Sequence, residues 1–99
     1  MSTINGTPTF HVALPDDIVD LFALLMQMHE EAKGGFLPVD GAKVVQKARW
    51  LLERGFVLVV RSRGEMVGSI AVGPTEHWYS LQPVLTDYWT YVKPTWRHS

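Results

Sequence analysis

The sequence predicts an α+β fold with the element order strand, helix, helix, strand, strand, strand. Two amphipathic helical patterns occupy the first half of the chain, and short runs rich in β-branched and aromatic residues occupy the second half. The strand-rich half has short connections, so consecutive strands are expected to pair as hairpins in a mainly antiparallel sheet. Both helices should pack on this sheet, and the last strand should form an open edge.

Composition and charge restrict the class of protein. The 99 residues are 46% hydrophobic and 19% charged, which is typical of one globular domain, here predicted over 1–99. A net charge of −1 provides no basic surface, so we expect no nucleic-acid partner. No apolar run approaches about 20 residues and the N-terminus lacks a signal-peptide pattern, which predicts no membrane partner and a cytoplasmic location. Cysteine is absent and the four histidines lack ligand spacing, so no metal site is expected.

The first strand and first helix follow one another directly. Alternating β-branched and aromatic residues predict a strand over 9–14. A Pro-Asp-Asp segment at 15–17 then opens a helix, because proline lacks only an N–H that has no partner there and aspartate favours the positive end of the dipole. Gly34 and Gly35 end it. Its apolar stripe consists of Ile18, Leu21, Phe22, Leu25 and Met28.

The second helix has signals at both ends. Asp40 is a good N-cap, and Gly55 follows the last residue of the helical pattern. The apolar face consists of Val44, Val45, Ala48, Leu51 and Leu52, and the opposite face is charged. These features predict a helix that packs one face on the sheet.

The second and third strands are predicted to form a hairpin. The continuous apolar run 56–60 is typical of an interior strand, and 66–72 is the returning strand. The segment 61–65 reads as a tight turn in which Gly64 adopts positive φ. Gly68 lies inside the returning strand and indicates a bulge or a close backbone approach.

The last strand is predicted over 84–92, after a loop over 73–83 that contains two prolines. Pro94 ends this strand. Strict alternation would place Asp87, Trp89 and Tyr91 on one face. The other face would then carry Thr86, Tyr88, Thr90 and Val92.

The element order and four local segments resemble the first half to two thirds of the GCN5-related N-acetyltransferase (GNAT) fold. The segments are the helix opening at 15–17, the helix end Met-His-Glu-Glu at 28–31, the hairpin through Gly64 into Val-Gly at 67–68, and the pattern Val-x-Pro-x-x-Arg at 92–97. Together they cover nearly the whole chain. The resemblance therefore implies a partial GNAT-like fold.

The resemblance also implies an activity, the transfer of an acetyl group from acetyl-CoA to a primary amine. In the family the backbone of the central strand pairs with the pantetheine arm and a glycine-rich turn, R-x-x-G-x-G/A, holds the pyrophosphate. The corresponding cofactor-binding positions here are Thr90, Tyr91, Val92 and Arg97. Only Arg97 of the glycine-rich motif is present, so the chain is expected to carry only the first part of the site. Either the domain is truncated or the remainder comes from another chain.

Candidate side chains for catalysis and acceptor binding follow from the same resemblance. For the base that takes the proton of the amine, Asp87 comes first, followed by Glu76 and His77. The family often shapes its acceptor pocket with the end of the first helix and the loop before the last strand. The corresponding residues are Glu30, Glu31, Phe36, Trp78 and Tyr79.

Two other functions stay open at this point. A noncatalytic interaction module could use the aromatic last strand as an exposed edge that recruits a partner strand, and the same edge is a candidate homodimer surface. A carbohydrate or peptide binder could use Trp78, Tyr79 and Trp96, although no polar constellation accompanies these aromatics.

Overall fold

The computed structural model describes residues 8–32, 38–76 and 81–97. Within these ranges four strands form one antiparallel sheet in the order β1-β2-β3-β4, with two helices. The strands are β1 (Thr9–Val12), β2 (Phe56–Ser62), β3 (Glu65–Glu76) and β4 (Pro83–Val92), and the helices are α1 (Ile18–Glu31) and α2 (Gly41–Arg54). The predicted α+β class, element order and edge position of the last strand are confirmed.

The beginning of α1 is fixed by its acidic first turn. A short 3-10 turn, Pro15–Asp17, precedes the α-helix, and Asp17 Oδ2 accepts the backbone N–H of Leu14 at 2.7 Å. Leu21 is fully buried, so the predicted apolar stripe does face the core. The helix ends at Glu31, and the Gly34-Gly35 pair predicted to end it lies outside the described residues.

Helix α2 has the predicted boundaries. The Oδ1 atom of Asp40 accepts the backbone N–H of Lys43 at 3.2 Å, as an N-cap does. Gly55 follows the last helical residue, and its N–H donates to the carbonyl of Leu51 at 2.8 Å. Leu51 and Ala48 are buried against the sheet.

The β2–β3 hairpin turns within two residues, so both strands are longer than predicted. Arg63 (φ 54°) and Gly64 (φ 83°) both occupy the left-handed region, which the right-handed twist of a two-residue hairpin favours. The positive φ of Gly64 is confirmed, whereas that of Arg63 was not anticipated.

A bulge lies beside Gly68, as the sequence indicated. Val60 pairs with Gly68 but Arg61 pairs with Met66, which leaves one extra residue in β3. A Cβ at Gly68 would lie 3.1 Å from the carbonyl oxygen of Tyr91 in β4. Glycine therefore permits a close approach of the two backbones here.

The loop predicted over 73–83 is wrong in its extent. Strand β3 continues to Glu76 and β4 begins at Pro83, so residues 77–82 separate the two strands, and 77–80 of these lie outside the described residues. Thr75 pairs with Val84. Cross-strand pairing therefore overrides the local turn signal of Gly-Pro.

A second bulge changes which side chains of β4 share a face. Trp89 pairs with Ala71 and Asp87 pairs with Val72, so Tyr88 is the extra residue. Ala71 belongs to the core under the helices, and its neighbour Val72 therefore points to the other face, together with Asp87. The prediction that Asp87 shares a face with Trp89 and Tyr91 is wrong, because an extra residue shifts the alternation.

The two faces of the sheet are covered differently. The core lies between the helices and one face. The other face presents large apolar side chains with exposures of 36–66%, namely Phe10, Val12, Phe56, Ile70 and Val92. Neither of the two described helices is long and apolar enough to cross a membrane.

Candidate functional site

The outer edge of β4 carries backbone groups that no described strand pairs with. On the inner side, the N–H of Lys93 donates to the carbonyl of Val67 in β3 at 2.9 Å. Backbone groups alternate in direction along an antiparallel strand, so the N–H and C=O of Tyr91 also face β3. Those of Thr90 and Val92 point to the outer edge, where a further strand or an extended ligand would bind.

A cluster of three side chains closes the end of this edge. The carbonyl of Val92 accepts a hydrogen bond from Arg97 Nε at 2.8 Å. The Arg97 guanidinium forms an ion pair with Glu31 at the end of α1, with Nη1 2.7 Å and Nη2 2.9 Å from the carboxylate. The phenol of Tyr91 donates to the same carboxylate at 2.6 Å. Glu31 therefore ties α1 to the end of β4.

The pKa shifts of Glu31 and Tyr91 both favour the same set of charges in this cluster. The Arg97 guanidinium, followed by the Tyr91 phenol, lowers the pKa of the Glu31 carboxyl. Burial, together with the bond to Glu31, raises the pKa of Tyr91. At neutral pH the cluster is thus an ionised Glu31 held by a charged Arg97 and a neutral Tyr91.

A cavity of about 620 Å³ lies on the helix side of the same strand. It is bounded by the second half of α1, residues 38–40, the first half of α2, and the bulge of β4 at Tyr88 and Trp89. This volume lies within the range of small-molecule sites. Tyr88 and Trp89 directly precede Thr90, so the cavity and the outer edge of β4 adjoin.

The wall of the cavity at the bulge is held by defined contacts. The indole N–H of Trp89 donates to Ser69 Oγ at 3.0 Å, and that hydroxyl donates to the carbonyl of Leu58 at 2.9 Å. Tyr88 packs edge-on against Trp50 of α2, with ring centroids 6.1 Å apart. Both aromatic side chains consequently have fixed orientations.

The structure brings together some of the predicted site residues and separates others. Tyr91 and Val92 contact the Glu31–Arg97 pair, and Thr90 precedes them in β4. Asp87 is exposed on the face away from the cavity, and Glu76 is exposed at the far end of β3, opposite Pro83. Glu30 is exposed on α1 and does not line the cavity. The remaining predicted site residues lie outside the described ranges, namely Phe36, His77, Trp78 and Tyr79.

Sequence reasoning missed the polar residues around the cavity. His29 is half-buried and lines the cavity, and so do Lys43 and Lys47 on α2. A signal existed for each: His29 follows Leu25 by four positions on the apolar stripe, and the two lysines are four positions apart on one helix face. Among the described residues, no group of three or more His, Cys, Asp or Glu side chains is arranged to hold a metal ion.

Comparison with known proteins identifies the fold. No protein-family model and no curated protein matches the sequence. Among solved structures, a predicted acetyltransferase from Clostridium acetobutylicum, solved with acetyl-CoA, superposes with a TM-score of 0.69 at 13% identity, over 93% of this chain and 64% of that one. The apo aminoglycoside 6'-N-acetyltransferase AAC(6')-IG from Acinetobacter haemolyticus gives 0.67 at 17% identity, over 91% and 60%. A GNAT family acetyltransferase from Staphylococcus aureus gives 0.60 at 8% identity, over 93% and 67%.

These likenesses concern the fold. The chain spans 60% to 67% of the length of the three proteins, and more than 90% of its own residues take part in each superposition. The match therefore extends over both helices and the sheet. The fold of this chain is that of a partial GNAT acetyltransferase domain.

Proposed function

We propose that this chain provides the first part of an N-acetyltransferase site, which transfers an acetyl group from acetyl-CoA to a primary amine. The observation that carries the proposal is the outer edge of β4, unpaired by any described strand and adjoining a cavity large enough for a small acceptor. One structural neighbour was solved with acetyl-CoA and another is named as an aminoglycoside N-acetyltransferase. Both support the same reaction class.

The proposed reaction is a direct transfer. The neutral amine attacks the thioester carbon, the new C–N bond forms and the C–S bond breaks. The proton of the amine passes to a base, and the sulfur leaves as a thiolate that takes up a proton from solvent. A backbone N–H directed at the thioester oxygen would stabilise the negative charge that develops there. We assign this role to the outward N–H of Thr90.

The base is proposed from position alone. An amine in the cavity lies on the helix side of β4, whereas Asp87 points to the other face and Glu76 is remote, so either could act only through water. His29 lines the cavity and is better placed to take the proton. An unchanged pH–rate profile for His29→Gln would exclude this role.

Arg97 is proposed to contact the pyrophosphate of acetyl-CoA. Its Nε already binds the outward carbonyl of Val92, which places the guanidinium at the outer edge. Phosphate oxygens are bidentate partners for arginine, as is the carboxylate of Glu31 that it contacts now. On binding of acetyl-CoA, the pyrophosphate would therefore replace the Glu31 carboxylate as the anionic partner of Arg97.

Thr90→Pro tests the proposed role of the edge. Proline lacks the N–H and is tolerated in an edge strand where that group faces away from the ladder. We expect the variant to fold and to bind acetyl-CoA at least tenfold more weakly than the parent in isothermal titration, because one hydrogen bond and the local pairing are lost.

Thr90→Val is the matched control, since it keeps the N–H while removing the hydroxyl. It should bind acetyl-CoA like the parent. Equal affinity of Thr90→Pro and Thr90→Val, in proteins with the same circular dichroism spectrum, would argue against pairing at this edge. Absence of any heat with the parent chain would argue against the acetyl-CoA site itself.

A second candidate function is a noncatalytic interaction module, and the exposed apolar face of the sheet favours it. Monomers rarely expose apolar patches above about 300–600 Å², and the described side chains of this face are substantially exposed. The side chains of Trp89 and Tyr91 add little to such a surface, because they are only 8% and 6% exposed, whereas the backbone edge of β4 is unpaired by any described strand. The partner surface would be Phe10, Val12 and their neighbours.

Sedimentation at several concentrations separates this candidate from a simple monomer. Self-association that is weakened by Phe10→Ser would support an interface between copies on the open face, and a strictly monomeric parent would argue against self-association and therefore against the predicted homodimer. The predicted cytoplasmic location stays a prediction.

A further inference from the structure

The rim of the cavity carries more positive than negative charge. Lys43 and Lys47 of α2 line it, and Asp40 is the one carboxylate among the described lining residues. Asp40 already accepts a hydrogen bond as the N-cap of α2. Among the described residues, no carboxylate forms an ion pair with either lysine within 4.0 Å, whereas Lys93 has Glu65 at 2.8 Å and Arg97 has Glu31 at 2.7 Å.

One of these ammonium groups is held in place by aromatic rings. Lys47 Nζ lies 4.5 Å from the ring centroid of Trp50 and 5.4 Å from that of Tyr88. A cation over aromatic faces is attracted to them without being neutralised. Lys47 therefore presents a full positive charge at the mouth of the cavity, beside the bulge of β4.

Apart from His29, the interior of the cavity is mainly apolar. Its walls include Leu25, Met28, Val44 and the indole of Trp89. Methionine adapts to irregular apolar ligands, and aromatic walls suit flat or branched ones. A ligand with an apolar body and a negatively charged group would complement both regions, with the body inside the cavity and the charge near the lysines at its mouth.

We propose that the cavity binds an amine with an apolar body and a carboxylate, the chemistry of an apolar amino acid, and not a polycation. The claim that this ligand accepts an acetyl group rests on the proposed function. The claim that the cavity binds this class of ligand does not. A polycation such as an aminoglycoside would bring several ammonium groups to a mouth with two lysines and one occupied carboxylate. The repulsion and the loss of hydration would both oppose its binding.

Binding in the absence of acetyl-CoA tests the cavity independently of the reaction. The probes are 3-phenylpropionate, its neutral isostere 3-phenylpropanamide, and kanamycin as the polycation. Methionines labelled with ¹³C in the methyl group report the place of binding, since Met28 lines this cavity and Met66 does not. We expect 3-phenylpropionate to shift the Met28 signal, and to bind about tenfold more tightly than the amide.

The lysine variants identify the groups that recognise the carboxylate. Lys47→Gln is expected to weaken 3-phenylpropionate about fivefold and to leave the amide unchanged, and Lys43→Gln/Lys47→Gln to weaken it about 25-fold. Arg54→Gln is the matched control, because it removes one positive charge from the last turn of the same helix without touching the cavity. It should bind all three probes like the parent.

Each outcome decides between the alternatives. Equal affinity for the acid and the amide, tighter binding of kanamycin, or no shift of Met28 with any probe would overturn the proposal. An acetyl-transfer assay with phenylalanine, phenethylamine and kanamycin then separates the two hypotheses. Transfer to kanamycin or phenethylamine as fast as to phenylalanine would keep the reaction and reject this acceptor class. Selective binding of the acid without any transfer would keep the ligand class and reject the reaction.

Discussion

Replacing Gly55 by alanine is expected to destabilise the fold by about 3 kcal/mol, the upper range for overpacking a tight site. Gly55 joins α2 to β2, and a Cβ there would lie 2.5 Å from the carbonyl oxygen of Val72 and 3.0 Å from a methyl group of Leu51. The first contact is with the backbone of β3, which cannot turn aside as a side chain can. The junction between helix and sheet would have to shift. Urea denaturation followed by circular dichroism measures the loss.

Gly64→Asn is the matched control for loss of a glycine. Gly64 has φ +83°, and nothing lies within 4 Å of the position of a Cβ there. Asparagine tolerates this left-handed conformation better than other side chains. We expect a change below about 1 kcal/mol. If Gly55→Ala were as mild as Gly64→Asn, the helix–sheet junction would not be tightly packed.

Asp17→Ala is expected to cost about 3 kcal/mol, because it breaks a partly buried network. Asp17 is 8% exposed. Its Oδ2 accepts the N–H of Leu14 at 2.7 Å, and its Oδ1 accepts Arg61 Nη2 at 2.8 Å. The same Arg61 nitrogen also reaches Asp20 at 2.9 Å, so part of the charge balance survives. Asp16→Ala removes an adjacent exposed carboxylate and should change the free energy of unfolding by less than about 0.5 kcal/mol.

The difference in unfolding free energy between the parent and Asp17→Ala is expected to depend on pH, because it depends on the pKa of Asp17. Burial raises this pKa, but the Leu14 N–H and the Arg61 guanidinium outweigh burial and hold it below its ordinary value. The stabilisation is therefore complete above the unfolded-state pKa of about 4, and is lost as the pH falls below it toward the folded-state pKa. The gap in unfolding free energy between parent and Asp17→Ala should narrow in that acidic range. A gap independent of pH would mean that the carboxylate charge contributes nothing.

Much of the fold could be predicted from local chemistry. Asp40 and Gly55 mark the ends of α2 because an N-cap and a helix-terminating glycine act through backbone groups within a few residues. The positive φ at Gly64 follows equally from the geometry of a two-residue turn. The edge position of β4 follows from the order of the elements.

The candidate site could be predicted only in part, because only some of its features depend on local chemistry. The cofactor-binding role that the resemblance implies for Thr90 and Val92 uses backbone groups and needs only a strand at an edge. The structure places both residues in such a strand, and the role itself stays a prediction. The faces of β4 were mispredicted, because the bulge at Tyr88 results from pairing with β3 and leaves no mark in the spacing of residues. His29 and Lys47 were assigned no role in the site, because the cavity they line exists only between two helices and a strand.

The amino-acid sequence by itself determined the helices, the turn and the strand order, since these depend on propensities, caps and periodicity within short segments. Tertiary structure alone decided that Asp87 points away from the cavity, that Glu31 holds Arg97, and that Lys47 lies over Trp50 and Tyr88. Each of these depends on the register between strands or on the contact of distant elements. Register and distant contacts are set by packing of the whole molecule, which no local pattern records.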